Sequence, residues 1–318
     1  MKILANDGID ATGKELLEKA GFEVYTANIA QADLLTKLND YDAILVRSAT
    51  KVRKELIDAS PNLKLIGRGG VGMDNIDVEY AKSKGIEVIN TPAASSNSVA
   101  ELVFAHLLSA NRFLNKTNCE MHSLEFSRFK ELKNECSKGT ELFGKTIGII
   151  GLGRIGKEVA RIAIGMGMNV VAHDPFLDKA EIEIIFHNQL NISPVKVEIV
   201  TKSKEEVLAE SDFISLHLPG GKGIIMGETE FAKLKKSAVL VNCARGGSVD
   251  ELALNNALNS GQLAAAALDV FEKEPPEYMD ILVNSKVSLS PHIGASTVEA
   301  QERIGEELAS KIISFFKK

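Results

Sequence analysis

Residues 146–164 read TIGIIGLGRIGKEVARIAI. A β-branched run stops at a glycine, two more glycines follow within five residues, and an amphipathic helical pattern begins at once. A helix interior does not tolerate three such glycines, and a hairpin has no use for the helix beyond them. The stretch demands a strand, a tight turn and a helix in succession, the unit from which parallel sheets are assembled.

The same alternation runs through most of the chain. Before this stretch, KILAND, FEVYTA, DAILVRS, LKLIGRGG and IEVINT read as strands. Between them, GKELLEKAG, ADLLTKLND, RKELIDAS and VEYAKSKG read as helices. After it, NVVAHD, DFISLHL, SAVLVNCAR, AAAALDVF and KVSLSPH read as strands, with SKEEVLAESD, ETEFAKLKK and DELALNNALNSG as helices. Strands alternating with helices imply parallel sheets covered on both faces. The fold class expected is α/β, with two doubly wound parallel-sheet domains, the first flavodoxin-like and the second Rossmann-like.

Three segments break the rhythm. SVAELVFAHLLSANRFL is apolar nearly all round, and Ser98 followed by Glu101 fits a capping box at its start. Burial in a core and burial against a second copy both suit such a helix. The polar, lysine-rich stretch after it reads as an exposed arm. Within 178–201, IEIIF and VKVEIV flank the turn-rich HNQLNISP, which predicts a hairpin inserted beside the second sheet.

Composition removes several function classes. A net charge of −6 leaves no basic footprint for nucleic acid. Three cysteines with no CxxC offer neither a disulfide framework nor a zinc site, so no metal is expected. The amino terminus lacks an apolar signal core, and no apolar run reaches the ~18 residues of a membrane span. A cytoplasmic protein without membrane partners is the expectation.

The glycine turn itself points to a dinucleotide. Gly151 allows the tight turn, Gly153 admits backbone to a pyrophosphate, and Gly156 lets helix and strand pack closely. The helix N-terminus offers unpaired N–H groups to the phosphates. Asp174, ending the next strand, suits the two ribose hydroxyls and repels a 2′-phosphate, which favours NAD over NADP.

Three further residues fall at the carboxyl ends of late strands, where open α/β sheets bind ligands: Arg245, Glu274 and His292. Their types suit hydride transfer at a hydroxyl-bearing carbon. A histidine accepts the hydroxyl proton, a carboxylate holds the ring and favours its cation, and an arginine clamps a planar carboxylate. Each also has an ordinary reading. Arg245 can pair with Asp269, and Glu274 and His292 can be loop residues.

GLGRIG with its aspartate, NCARGGSVDE, ALDVFEKEPP and SPHIGAST together resemble the D-isomer-specific 2-hydroxyacid dehydrogenases. LVRSATKV and GRGGVGMDNID resemble the phosphoglycerate dehydrogenase branch of that family, in a short form without a C-terminal regulatory domain. The resemblance implies NAD-dependent oxidation of 3-phospho-D-glycerate, a step of serine synthesis. It implies a substrate domain of residues 1–97 plus 293–318, around an NAD domain of 98–292 that contains the dimerisation helix and arm. Arg245, Glu274 and His292 would be catalytic, in a cleft that closes over substrate. Val71, Gly151, Gly153, Arg154, Ile155, Gly156, Asp174, Leu218, Pro219, Cys243, Ala244, Arg245, Asp269, His292, Gly294 and Ala295 would surround NAD. Arg47, Ser48, Arg68 and Gly70, with Arg245 and His292, would hold substrate, and Lys51 is a weaker candidate. A homodimer is expected, and serine feedback through a regulatory domain is not. The alternatives are a dehydrogenase for another small D-2-hydroxy acid (glycerate, lactate or a branched acid) and an NAD(H)-sensing binding protein.

Overall fold

A computed structural model describes residues 1–122, 128–186, 192–221 and 223–317. Its contacts divide the chain into two units, Met1–Ser98 with Ala295–Lys318, and Val99–Gly294.

The first unit is built on a five-stranded parallel sheet. Its strands are β1 (Lys2–Ala5), β2 (Glu23–Tyr25), β3 (Ala43–Val46), β4 (Leu65–Arg68) and β5 (Glu87–Asn90), in the order β2-β1-β3-β4-β5. That is the flavodoxin order, with its reversal between β1 and β3. Its central strands are buried on both faces, which explains why they read as unbroken apolar runs rather than alternating ones. One face is covered by α1 (Ala11–Lys19) together with α13 (Val298–Phe316), the last helix of the chain. The two helices cross at Gly13 and Gly305, where a Cβ on Gly13 would lie 2.6 Å from the Gly305 backbone. Thr297 caps α13 by accepting from the Ala300 N–H at 3.2 Å.

The second unit holds a six-stranded parallel sheet. Its strands are β6 (Thr146–Ile150), β7 (Asn169–His173), β10 (Phe213–Leu216), β11 (Val239–Asn242), β12 (Ala265–Leu268) and β13 (Val287–Leu289), in the order β13-β12-β11-β10-β6-β7. The chain leaves β6 to one side for β7 and later returns to its other side with β10, so the topological switch lies at the carboxyl end of β6. Helix α8 (Arg154–Gly165) follows the glycine turn and buries Val159, Ala160 and Ala163. Between β7 and β10, β8 (Lys179–Ile184) and β9 (Val195–Val200) pair antiparallel as a hairpin. It buries Ala180, Ile182 and Ile199 in the core that α8 shares, and pairs Lys179 with Glu198 and Lys196 with Glu181 on its outer face. Residues 187–191 of the expected turn lie outside the described residues.

One expectation needs correction. Helix α5 spans Ser96–Asn111, so Ser98 sits inside its first turn and is not the cap of a capping box. The Ser98 hydroxyl bonds the Thr297 hydroxyl at 2.7 Å instead. The described part of the arm after α5 is mostly exposed and helical. It forms α6 (Leu114–His122) and α7 (Phe129–Glu135), tied by Lys116 to Glu135 at 2.6 Å and Arg128 to Glu120 at 2.9 Å. Those pairs join charges far apart in sequence, which local composition does not display. No helix among the described residues is long and apolar enough to cross a membrane.

Candidate active site

The carboxyl edge of the six-stranded sheet gathers the polar loops of the second unit. At the end of β6, Gly151 has a φ of 97°, and a Cβ there would lie 2.5 Å from the His217 carbonyl oxygen. A Cβ on Gly156 would lie 2.1 Å from the Gly151 carbonyl oxygen. Gly153 has nothing within 4 Å of its would-be Cβ. Two glycines therefore close the turn and the third opens it, leaving room for a phosphate against the first amides of α8. Leu152 donates to Asp174 Oδ2 at 2.8 Å and Phe176 donates to Oδ1 at 2.9 Å. Each oxygen keeps a lone pair for a ribose hydroxyl. Arg154 is exposed at the first turn of α8, and Ile155 packs on the core behind it.

His217, just past β10, was not singled out from sequence. Its Nε2 lies 2.8 Å from Ser215 Oγ, while its Nδ1 is buried without a partner among the described residues. Burial pushes this imidazole down to about 3, so it is neutral. An orphaned ring nitrogen one residue before Leu218 and Pro219 fits a bound polar ligand. NAD, which the glycine turn implies, thus finds both an open cradle and an unpaired polar atom.

The loop after β11 is shaped by Asn242. Its Oδ1 accepts from the Ala244 N–H at 3.1 Å, and its Nδ2 donates to the Arg245 carbonyl at 3.0 Å. Ser248 Oγ donates to the same carbonyl at 2.6 Å. Cys243 and Ala244 are buried, and burial raises the Cys243 thiol, so it is no nucleophile. The Arg245 side chain is half-buried, and its Nη1 donates to the Ala244 carbonyl at 2.7 Å. Gly246 brings this loop against the next one: a Cβ there would meet the Phe271 carbonyl oxygen at 1.7 Å.

Past β12, Glu274 Oε2 accepts from His292 Nδ1 at 2.8 Å, and its Oε1 accepts from the Phe271 N–H at 3.3 Å. The structure therefore brings Glu274 and His292 together. Both line a cavity of about 440 Å³ walled by Phe271, Pro275, Pro276 and Leu289. His292 has a φ of 55°, a left-handed conformation that a non-glycine residue holds only at a cost of order 1–3 kcal/mol. Asp269, 1% exposed, holds the loop around it. Its Oδ1 accepts from Ser290 Oγ at 2.6 Å and from the Ile293 N–H at 2.8 Å, and its Oδ2 accepts from the Gly294 N–H at 2.9 Å. Asp269 is thus committed to framing His292.

In the first unit, the candidates sit at the ends of β3 and β4. Asp7 organises the turn Arg47–Thr50, accepting from the Arg47 N–H at 2.6 Å and the Thr50 N–H at 3.1 Å. Asn75 closes it from below, donating to the Arg47 and Thr50 carbonyls. Ser48 is exposed on that turn. Lys51, the weaker candidate, is exposed and has its backbone paired with the Gln31 side chain. Arg68 lies over Gly70, whose φ is 135° and whose would-be Cβ falls 1.5 Å from Arg68 Nη1. Val71 follows, its carbonyl accepting from Asn90, and Ala295 opens the segment that leads to α13. Asp7, Asn75 and Asn242 carry no local motif, because each works through partners remote in sequence or through backbone.

Residues 104–294 match the family model for the D-isomer specific 2-hydroxyacid dehydrogenase NAD binding domain. The chain is 42% identical over 314 residues to a D-3-phosphoglycerate dehydrogenase of Methanocaldococcus jannaschii, covering 98% of this chain and 57% of that one. It is 40% identical over 317 residues to a hydroxypyruvate reductase of Thermotoga maritima, covering 98% and 97%. A solved NAD-bound 3-phosphoglycerate dehydrogenase of Entamoeba histolytica superposes with a TM-score of 0.78 at 30% identity, covering 100% of this chain and 96% of that one. This chain belongs to the D-isomer-specific 2-hydroxyacid dehydrogenases and carries their NAD-binding domain. It spans little more than half the length of the Methanocaldococcus relative.

Proposed function

We propose that this chain oxidises 3-phospho-D-glycerate to 3-phosphohydroxypyruvate with NAD, a reaction that feeds serine synthesis. The observation that carries the reading is the 2.8 Å contact between His292 Nδ1 and Glu274, on the sheet edge that also bears the glycine turn. The similarity to phosphoglycerate dehydrogenases supports the choice of substrate.

In this reading Arg245 clamps the substrate carboxylate through two parallel hydrogen bonds. His292, with Nδ1 turned to Glu274, presents Nε2 to the substrate hydroxyl and takes its proton as the carbonyl forms. Glu274 holds the ring and stabilises the imidazolium that results. NAD held at the glycine turn by Gly151, Gly153, Gly156 and Asp174 would supply the acceptor for the hydride on the same carbon. Arg47, Ser48, Arg68 and Gly70 receive the substrate phosphate, for which guanidinium groups are well shaped. Asp269, bonded to the Ile293 and Gly294 N–H groups, fixes the loop that carries His292.

A homodimer belongs to the same reading. Leu108 on α5, Leu114 and Met121 on α6 and Phe129 on α7 expose apolar side chains, which a second copy would cover.

Turnover of another small D-2-hydroxy acid, such as glycerate, lactate or a branched acid, through reduction of its 2-oxo acid is the second reading. It is favoured by the hydroxypyruvate reductase whose full length this chain nearly matches. The test is NADH consumption with 3-phosphohydroxypyruvate, hydroxypyruvate and pyruvate in parallel. Preference for the phosphorylated acid that Arg47→Ala and Arg68→Ala abolish, with hydroxypyruvate kinetics unchanged, supports the first. Equal or better use of hydroxypyruvate moves the substrate to the second. Silence on all three despite tight NADH binding points to an NAD(H)-sensing protein.

A further inference from the structure

We infer that His106 is a positioning residue for proton transfer, acting through Ser290 and Asp269 on the loop that carries His292. This rests on the reading of His292 as the proton-transfer residue.

His106 lies on α5 and is 5% exposed. Both ring nitrogens are engaged by one strand: Nδ1 is 2.8 Å from Ser288 Oγ, and Nε2 is 2.9 Å from Ser290 Oγ. Residues 288 and 290 are two apart at the end of β13, so both hydroxyls face the same side of the sheet. Ser290 Oγ in turn lies 2.6 Å from Asp269 Oδ1.

The directions of these bonds follow from the atoms. Asp269 already takes the Ile293 and Gly294 N–H groups, so it is the acceptor for Ser290 as well. A hydroxyl has one hydrogen, and that of Ser290 goes to Asp269. Ser290 can then only accept from His106, which requires a proton on Nε2. The ring is held neutral by burial, which lowers its affinity for a second proton against the pull of Asp269. Its Nδ1 is therefore bare and accepts from Ser288. One tautomer satisfies every partner.

The run of bonds ends where the chemistry is placed. Asp269 grips the amides of Ile293 and Gly294, and His292 immediately before them holds its left-handed φ of 55°. Without the Nε2–H of His106, the Ser290 hydroxyl is free to turn. Asp269 then loses the donor that aligns its carboxylate with the two amides. The imidazole of His292 drifts from the direction in which it meets the substrate hydroxyl, while the glycine turn is untouched. His106 thus acts on turnover and not on cofactor affinity.

The test uses the full chain and three variants. His106→Leu removes both bonds. His106→Gln keeps a donor and an acceptor on one side chain. Ser290→Ala breaks the relay one step on. His106→Leu and Ser290→Ala should each lower kcat about tenfold or more, the effect of losing one well-made hydrogen bond from the transition state. The Kd for NADH by fluorescence should stay within about twofold, and His106→Gln should recover most of the rate. A general loss of folding would instead weaken NADH binding and would not be rescued by glutamine.

A second readout needs no turnover. Two-bond nitrogen–proton spectra of histidine-labelled protein, with the His106 signals assigned by their loss in His106→Gln, should show Nε2 protonated and Nδ1 bare at neutral pH. The His292 ring signals should shift in both His106→Leu and Ser290→Ala. The opposite tautomer, or His292 signals unmoved, overturns the inference even if the enzyme is active. Wild-type turnover that His106→Leu matches overturns it too and leaves the proposed function standing. A wild type silent on every 2-oxo acid overturns the function, and the spectra then decide the positioning role alone.

Discussion

Glu274→Gln isolates the carboxylate's share of catalysis. Both neighbours of Glu274 donate to it: His292 Nδ1 at Oε2 and the Phe271 N–H at Oε1. A glutamine amide has one oxygen, so whichever way it turns it sets an NH2 against a donor. The variant loses one hydrogen bond and the charge that stabilises the imidazolium. Hydrogen bonds to charged groups contribute about 1.5–3 kcal/mol. Here the two side chains are 40% and 37% exposed, so water screens the pair and the lower end applies. About 1.5 kcal/mol is roughly a tenfold fall in kcat/KM. A fully buried aspartate behind a catalytic histidine costs about 10⁴ when amidated, so exposure sets the scale. NADH oxidation with the best 2-oxo acid measures the rate, and NADH fluorescence checks that cofactor affinity is unchanged. In a His292→Gln background the same substitution should cost almost nothing, because Glu274 works through the ring. A Glu274→Gln rate within twofold of wild type, or full additivity in the double variant, would falsify the assignment.

Other outcomes follow from the same geometry. Gly153→Ala, with open space around its Cβ, should leave the thermal midpoint unchanged and weaken NADH binding at least about tenfold. Gly156→Ala drives a Cβ onto the Gly151 carbonyl and should destabilise the second unit by about 1–3 kcal/mol, read by denaturant titration. Gly70→Ala should displace the Arg68 guanidinium and raise the KM for a phosphorylated 2-oxo acid several-fold, with NADH affinity unchanged. Glu251 is buried, and burial raises its carboxyl pKa above the ordinary 4.5 even though it accepts from the Glu272 N–H. A raised acid pKa makes the fold lose stability as pH climbs from 4.5 through the native value. Glu251→Gln should therefore melt higher than wild type at pH 7, with the difference vanishing below pH 4.5.

The two parallel sheets are legible because strands covered on both faces leave continuous apolar runs, and because glycines punctuate the turns between them. Arg245, Glu274 and His292 stand out for a related reason: each is a polar residue in the loop that follows an apolar strand. The scaffolding behind them was hidden. Asp269 is named by the resemblance among the residues around NAD and as a possible partner of Arg245, but its hold on the His292 loop is hidden until Ile293 and Gly294 fold back onto it. His106 sits in an apolar helix and finds its serines at the end of β13, about 180 positions on, where no local pattern could show them. Asn242 looks like a strand residue and acts as a turn-former. The start of α5 was misplaced because Ser98-x-x-Glu101 mimics a capping box where the helix had already begun at Ser96.

The crossing of α1 and α13 at Gly13 and Gly305 has a consequence for how the molecule is made. One face of the first sheet is closed by Ile304, Leu308 and Ile312, residues that leave the ribosome long after the strands they cover. The sheet of the second unit, from β6 to β13, is contiguous in sequence and can pack while the chain is still growing. The first unit must wait with Ile3, Ala5 and Leu45 partly uncovered until the last helix arrives. Synthesis thus proceeds from N- to C-terminus while folding finishes at the beginning, and a chain stalled before α13 presents an open apolar sheet to chaperones and proteases.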